Sequence, residues 1–236
     1  MIQAITFDLW NTIFTNRFYS DFRLTSLIEF LKGKEIRYSI DKIETAFRSA
    51  FYLPERNYKE NVHIHTEDLI SKMLNVLNLD LTTIDRELIK KEFEEAMLKD
   101  PPSLKIGVKQ TLEDLSLNYK IGLISNTGVT PGRIISRVFE KYEILKFFQV
   151  KIYSDEIGYY KPHPLLFKTA LRKLKCLPQN SIHIGDKLET DVKGAKDCNM
   201  FAIWFNDSNS PYSEFIQPDY EIHEITEVLQ IIDRIS

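Results

Sequence analysis

A change of texture near residue 101 limits the fold of this chain more than any other feature. Past Asp100-Pro101-Pro102, strand-sized apolar runs alternate with stretches of helical spacing. Proline cannot continue a helix and disfavours helix in the residue before it, so the triplet closes whatever helix precedes it. Beyond it a helix fits 107–117, a strand 119–125 (YKIGLIS), a helix 131–141 and a strand-like run 148–154 (FQVKIYS). A helix 163–175, a strand 181–185 (SIHIG), a helix 190–198 and a strand 200–205 (MFAIWF) follow, then a short strand near 219–222 and a helix 224–234. Residues 2–9 (IQAITFDL) read as one more buried strand. Strands alternating with helices make βαβ units, and these predict an α/β class: a doubly wound parallel sheet with helices on both faces. Reactive groups in such sheets gather at the carboxyl ends of the strands.

The stretch between the first strand and the prolines has a different period. Leu24, Leu27, Ile28 and Leu31 fall on one helical face, as do Ile43, Ala46, Phe47 and Ala50. Ile70, Met73, Leu74 and Leu77 make a third stripe, and Ile89, Phe93, Ala96 and Met97 a fourth. Thr66, followed by Glu67 and Asp68, suits a helix start with the hydroxyl as cap. The expected organisation is a core domain formed by 1–14 and 101–236, with an all-helical insert over 15–100.

Composition excludes several function classes. With 236 residues, 43% hydrophobic and 28% charged, the chain is ordinary globular material for one large domain, or a core plus a smaller insert. A net charge of −3 offers no basic surplus for nucleic acid or an anionic membrane. The longest apolar runs, such as Met200 to Phe205, fall far short of the roughly 20 residues of a spanning helix. No secretory pattern precedes the first strand. Cys176 and Cys198 are too few for a disulfide framework and read as helix packing. A cytoplasmic protein acting on a small molecule, as a monomer or a homodimer, is the expectation.

Polar residues stand where successive strands end. Asp8 closes the first in FDLWNT, and Ser125 and Asn126 close the second in LISNTG. Lys161 follows the third in YYKPHP, in a loop that Pro162 and Pro164 after it make stiff. Asp186 closes the fourth in IHIGDKLETD, with Asp191 after it. Taken singly, Asp186 could cap a helix, Lys161 could be a solvated loop lysine and Thr12 a turn residue. Arg17 and Arg23, just past the first strand, could meet an anionic substrate, but solvated arginines are the ordinary expectation. The five histidines show no metal-ligand spacing with cysteines, and His63 and His65 read as surface or packing residues. Phe18, Tyr19, Phe22, Phe51 and Tyr52 are candidates for the inner face of the insert, with packing of its own core the duller alternative.

Together, and in this order, the strand-end residues resemble the four motifs of the haloacid dehalogenase superfamily: a DxDx[TV] strand end, a Ser or Thr, a Lys, and a GDxxxD-type acid pair. The match covers residues 2 to about 205, and the insert looks like that family's helical cap. The resemblance implies Asp8 as nucleophile, since a carboxylate can form an ester intermediate that water then hydrolyses. It implies Mg²⁺ held by Asp8, Asp186 and the backbone carbonyl of Trp10, with Asp191 ligating that metal or orienting its site. Ser125 and Lys161 would hold the phosphoryl oxygens and the developing charge. Thr12, Asn126 and Gly128 would shape the surrounding loops, and the insert would act as a lid that chooses the substrate.

One position departs from the phosphatase pattern. Two residues after the nucleophile that branch carries a second Asp, which protonates the leaving oxygen; here stands Trp10. Indole offers no group that gives and retakes a proton near neutral pH. Dehalogenases carry an aromatic residue there, and Asn11 also replaces the usual Gly. The fourth motif points the other way, because GDKLETD keeps an acid pair that would suffer like-charge repulsion beside Asp8 without a cation. The expected activity is a Mg²⁺-dependent phosphatase working through an aspartyl-phosphate and favouring good leaving groups. The alternatives are a metal-independent 2-haloacid dehalogenase and a catalytically weak phosphate- or protein-binding family member.

Overall fold

Strand β1 (Ala4–Phe7) is buried at every residue, as a strand must be when helices cover both faces of its sheet. In the computed structural model, which describes residues 1–51 and 61–235, it occupies the middle of a six-stranded sheet. The others are β2 (Lys120–Ser125), β3 (Val150–Tyr153), β4 (Ser181–Gly185), β5 (Phe201–Phe205) and β6 (Tyr220–Ile222). All neighbours pair in parallel, in the order β3-β2-β1-β4-β5-β6. The chain steps outward from β1 to β2 and β3, then returns to β1's other side at β4. That reversal opens a crevice at the carboxyl ends of the strands. The register sets β1 between its neighbours, Phe7 pairing with Leu123 and with Ile184.

Between β1 and β2 run α1 (Ser20–Gly33), α2 (Ile40–Phe51), α3 (Thr66–Leu77) and α4 (Thr83–Glu94). Their apolar stripes meet in a separate core around Leu27, Phe47, Met73, Leu74 and Phe93. The fourth stripe is divided. The chain breaks at Glu95, and Ala96 and Met97 of α5 (Ala96–Lys99) join the core of the sheet instead. Thr66 does not cap α3; its hydroxyl donates to the Val129 carbonyl in the loop after β2, 3.2 Å away.

The sheet is covered by α6 (Val108–Ser116), α7 (Gly132–Lys141) and α11 (Glu227–Ile235) on the face of Ile5 and Phe7, and by α9 (Pro164–Leu174) and α10 (Lys193–Asp197) on the face of Ala4 and Ile124. A single helical turn, α8 (Ser154–Ile157), follows β3 where strand is expected to persist, because the Ser154 hydroxyl turns to accept from the Thr127 N–H at 2.8 Å. The helix expected over 190–198 begins as a π-turn, Leu188–Val192. Wide turns of this kind commonly accompany functional sites. None of the described helices is long and apolar enough to cross a membrane.

Candidate active site

Asp8 is fixed first by its backbone, whose N–H donates to the Ile184 carbonyl at 2.8 Å and so ties the end of β1 to β4. The chain then folds back sharply: Ile13 and Phe14 both donate to the Leu9 carbonyl at 2.9 Å. Asn11 takes a φ of 59° in that turn, a left-handed conformation that Asn tolerates far better than most residues. The same geometry aims its amide at Asp186, with Nδ2 3.1 Å from Oδ2. Thr12, fully buried, lies with its hydroxyl 3.4 Å from Asp8 Oδ2.

Lys161 is not a solvated loop lysine: it is 2% exposed. Asn126 holds its backbone from both sides, accepting from the lysine N–H at 2.7 Å and donating to its carbonyl at 3.4 Å. The side chain reaches two carboxylates at once, 2.5 Å to Asp8 Oδ1 and 2.6 Å to Asp191 Oδ1. The π-turn brings Asp191 to this place, and the Lys187 N–H donates to its Oδ2 at 3.0 Å. His183 Nε2 lies 3.4 Å from Asp191 Oδ1, and its Nδ1 lies 2.9 Å from the Thr6 hydroxyl. A carboxylate only accepts, so the neutral ring directs Nε2–H to Asp191, which leaves Nδ1 as an acceptor facing the Thr6 hydroxyl; that hydroxyl also lies 3.1 Å from the Ile182 carbonyl. Gly185 makes room: a Cβ there would sit 2.3 Å from Asp191 Cγ.

Burial and like charge dominate the electrostatics. Burial pushes Asp8 up to about 7; Lys161 opposes this, while Asp191 and Asp186 add to it. Asp186 is raised by burial and then by Asp191. Burial acts on Asp191 in the same sense, but Lys161 and His183 overcome it and hold that carboxyl well below the usual range. Lys161, which burial alone would discharge, is held protonated by Asp191 and Asp8. Carboxylate oxygens of Asp8, Asp186 and Asp191 lie within 4.8 Å of one another. Three carboxyl groups crowd about Lys161, and burial and mutual repulsion disfavour the charge on Asp8 and Asp186; a hard divalent cation among these oxygen donors would relieve that repulsion.

A family model described as haloacid dehalogenase-like hydrolase matches residues 2–199. The chain belongs to this family. It is 34% identical over 134 residues to a glyceraldehyde 3-phosphate phosphatase of Pyrococcus furiosus, covering 54% of each chain, so it spans about half the length of that relative. A glyceraldehyde 3-phosphate phosphatase of Methanocaldococcus jannaschii is 23% identical over 237 residues, with 99% of this chain and 96% of that one covered. The fold is that of a 2-haloacid dehalogenase from Pseudomonas syringae pv. tomato, at a TM-score of 0.77 with 20% identity and both chains covered in full.

The haloacid dehalogenase-like core leaves a cavity of about 380 Å³ over these carboxylates, a size suited to a small molecule. Asp8, Asn126, Lys161, Asp186 and Asp191 line it, as does Trp10. Ser125 closes β2 wholly buried, its hydroxyl 3.4 Å from the Asn126 carbonyl, and the described lining begins one residue later. Among the described lining residues the only carboxylic acids are Asp8, Asp186 and Asp191. Among the described lining of this cavity no acid from another element stands in for the one Trp10 replaces; Glu189 lines the adjoining cavity that Trp10 shares.

The aromatic candidates divide. Phe18 and Tyr19 both line the cavity, Phe18 exposed and Tyr19 buried. Tyr19 donates from its hydroxyl to the Asp100 carbonyl at 3.0 Å, Phe22 packs on the core of the sheet, and Phe51 stacks on Phe47 at 4.2 Å. Tyr52 lies outside the described residues. His63 is buried rather than on the surface, with Nδ1 3.1 Å from the Ser154 hydroxyl. The expectation of solvated arginines holds for Arg17, which pairs with Asp100 at the surface, and fails for Arg23. Arg23 is 8% exposed and lines the cavity, because α1 turns it inward beside Leu27. Asn11 and His183 also contact the site's carboxylates; an Asn in the turn after Asp8 is the sequence signal for the first, and nothing in the strand pattern marks the second.

Proposed function

We propose that this hydrolase is a Mg²⁺-dependent phosphatase acting on a small phosphorylated molecule, with Asp8 as nucleophile. The observation that carries the reading is the crowding of Asp8, Asp186 and Asp191 around one lysine at a cavity. The donor set fits a hard cation: Asp8, Asp186 and the Trp10 carbonyl would hold it, and Asp191, already engaged by Lys161, Lys187 and His183, would orient the site. When bound, Mg²⁺ neutralises phosphoryl charge and so lets a carboxylate approach.

A carboxylate oxygen of Asp8 attacks phosphorus, the bond to the leaving oxygen breaks, and an aspartyl-phosphate forms. Water then attacks the same phosphorus, orthophosphate departs and Asp8 is restored. Lys161 keeps Asp8 charged and offsets negative charge as it develops. The helices between β1 and β2, read as a cap over 15–100, close the cavity and select the substrate. Trp10 supplies no proton, so the leaving group departs as an anion. Acyl, enol and aryl phosphates are the favoured substrates.

Hydrolysis of 4-nitrophenyl phosphate and of an alkyl phosphate, each with saturating Mg²⁺ and with EDTA, tests this. The aryl ester should turn over at least about tenfold faster, reflecting the missing acid, and EDTA should abolish both rates. Equal rates with chemistry limiting would remove the leaving-group preference. The aromatic residue at position 10 also favours a rival reading, a metal-independent 2-haloacid dehalogenase. Halide release from 2-chloropropionate in EDTA would replace the phosphatase reading with that one.

A further inference from the structure

Arg23 is a buried cation lining this cavity, its guanidinium carbon 5.6 Å from the centre of the Tyr19 ring. Nε donates to the Phe93 carbonyl at 2.9 Å and one terminal nitrogen to the Thr130 hydroxyl at 2.9 Å, both neutral acceptors. Among the described residues it has no carboxylate partner, whereas Arg17 on the same cavity is paired with Asp100. Burial lowers its pKa only to about 10, so it stays charged at neutral pH. The single fully buried side-chain atom left without a partner among the described residues is Thr111 Oγ1. Arg23 itself lines the cavity, and its other terminal nitrogen has no hydrogen-bond partner among the described residues. A largely buried guanidinium held in place by two neutral acceptors at the wall of a cavity presents a preorganised positive charge that an anion entering the cavity would match.

Resting on the phosphatase reading, we infer that Arg23 binds a carboxylate carried by the substrate, so that the molecule hydrolysed is a small phosphate ester or anhydride that also bears a carboxyl group. The planar fork of Arg suits a carboxylate, which it can take through paired N–H donors. The charge count favours it over a second phosphoryl group. One buried unpaired cation matches one negative charge, whereas a phosphoryl group brings about −1.5 to −2. Lys161 is already committed to Asp8 and Asp191 and has no charge to spare.

The test uses the full chain with Mg²⁺ and calorimetric titration of non-hydrolysable phosphonates. Phosphonoacetate, 3-phosphonopropionate and 4-phosphonobutyrate are compared with methyl-, ethyl- and propylphosphonate. At least one carboxylated member should bind about tenfold tighter than its plain counterpart, the gain expected of a charge-assisted pair. Arg23→Gln should bring that ratio to near one without changing the affinity for the plain phosphonate, and Arg23→Lys should keep part of it. Equal binding of both series by the wild-type protein overturns the inference and leaves the phosphatase reading standing, and this comparison needs no variant to fold. A preference that survives Arg23→Gln overturns it too, as does methylenediphosphonate binding tighter than every carboxylated member. Failure of all phosphonates and of orthophosphate to bind removes the phosphatase reading, and the inference with it.

Discussion

Lys161 Nζ lies 2.5 Å from Asp8 Oδ1, and both side chains are almost wholly shielded from solvent. The lysine therefore answers for a carboxylate that burial would otherwise neutralise, and for Asp191 as well. Lys161→Met should lower kcat by about 10²–10³ or more, as expected when a preorganised charge is lost. It should also destabilise the fold by about 3–5 kcal/mol, because two buried carboxylates lose their partner. Adding Asp8→Asn to that variant should restore part of the stability and none of the activity. Urea unfolding of the two variants, with steady-state rates, checks this.

Gly185→Ala should act through Asp191. The added methyl carbon would lie 2.3 Å from Asp191 Cγ, so the carboxylate or the π-turn that carries it must move. Overpacking of this kind costs about 1–3 kcal/mol. Displacing Asp191 frees Lys161 on one side, so kcat should fall more than KM changes. A variant with wild-type kcat and an intact fold would mean that Asp191 does not position the lysine.

Trp10→Asp returns a proton donor to the leaving-group side. Alkyl phosphate turnover should rise, with general acid–base help of about 10²–10⁴ as the ceiling. The aryl substrate should gain much less, since its leaving group departs unaided. Unchanged alkyl rates in a folded variant would count against the role assigned to position 10.

His63 gives the fold a pH dependence of its own. Burial and then His65 lower its pKa from 6.5 to about 4. Below pH 6.5 the unfolded chain binds the proton and the folded one resists it, so stability is present above 6.5 and is lost as pH falls toward 4. The loss is on the order of 2–3 kcal/mol. Unfolding midpoints between pH 7 and 4 should therefore drop more steeply for the wild type than for His63→Gln. Taking the difference between the two cancels His183, whose buried ring contributes with the same sign.

Much of the fold is written in local patterns. Ala4–Phe7 and Phe201–Phe205 read as strands because mostly apolar, β-prone runs of that length suit a sheet covered on both faces. Asp8, Lys161, Asp186 and Asp191 could be picked out because each stands at or just past a strand end, where a doubly wound sheet collects its polar groups. The π-turn at Leu188–Val192 was not legible, since an ordinary helix and a widened one share the same spacing of apolar residues. Nor was the break at Glu95, where one continuous stripe serves two cores.

By itself the sequence determined the class of fold, the order of its elements and the candidate residues for the chemistry, including Trp10 where the phosphatase pattern has an acid. These follow from periodicity and from residue type, which are local properties of the chain. Only the tertiary structure decided the charge relations: that Lys161 is shared by Asp8 and Asp191, that Asn126 is engaged with the lysine's backbone, and that Arg23 is turned into the cavity with neutral partners. Partners distant in sequence meet only when the sheet closes, and burial then sets what each charge costs and what it requires.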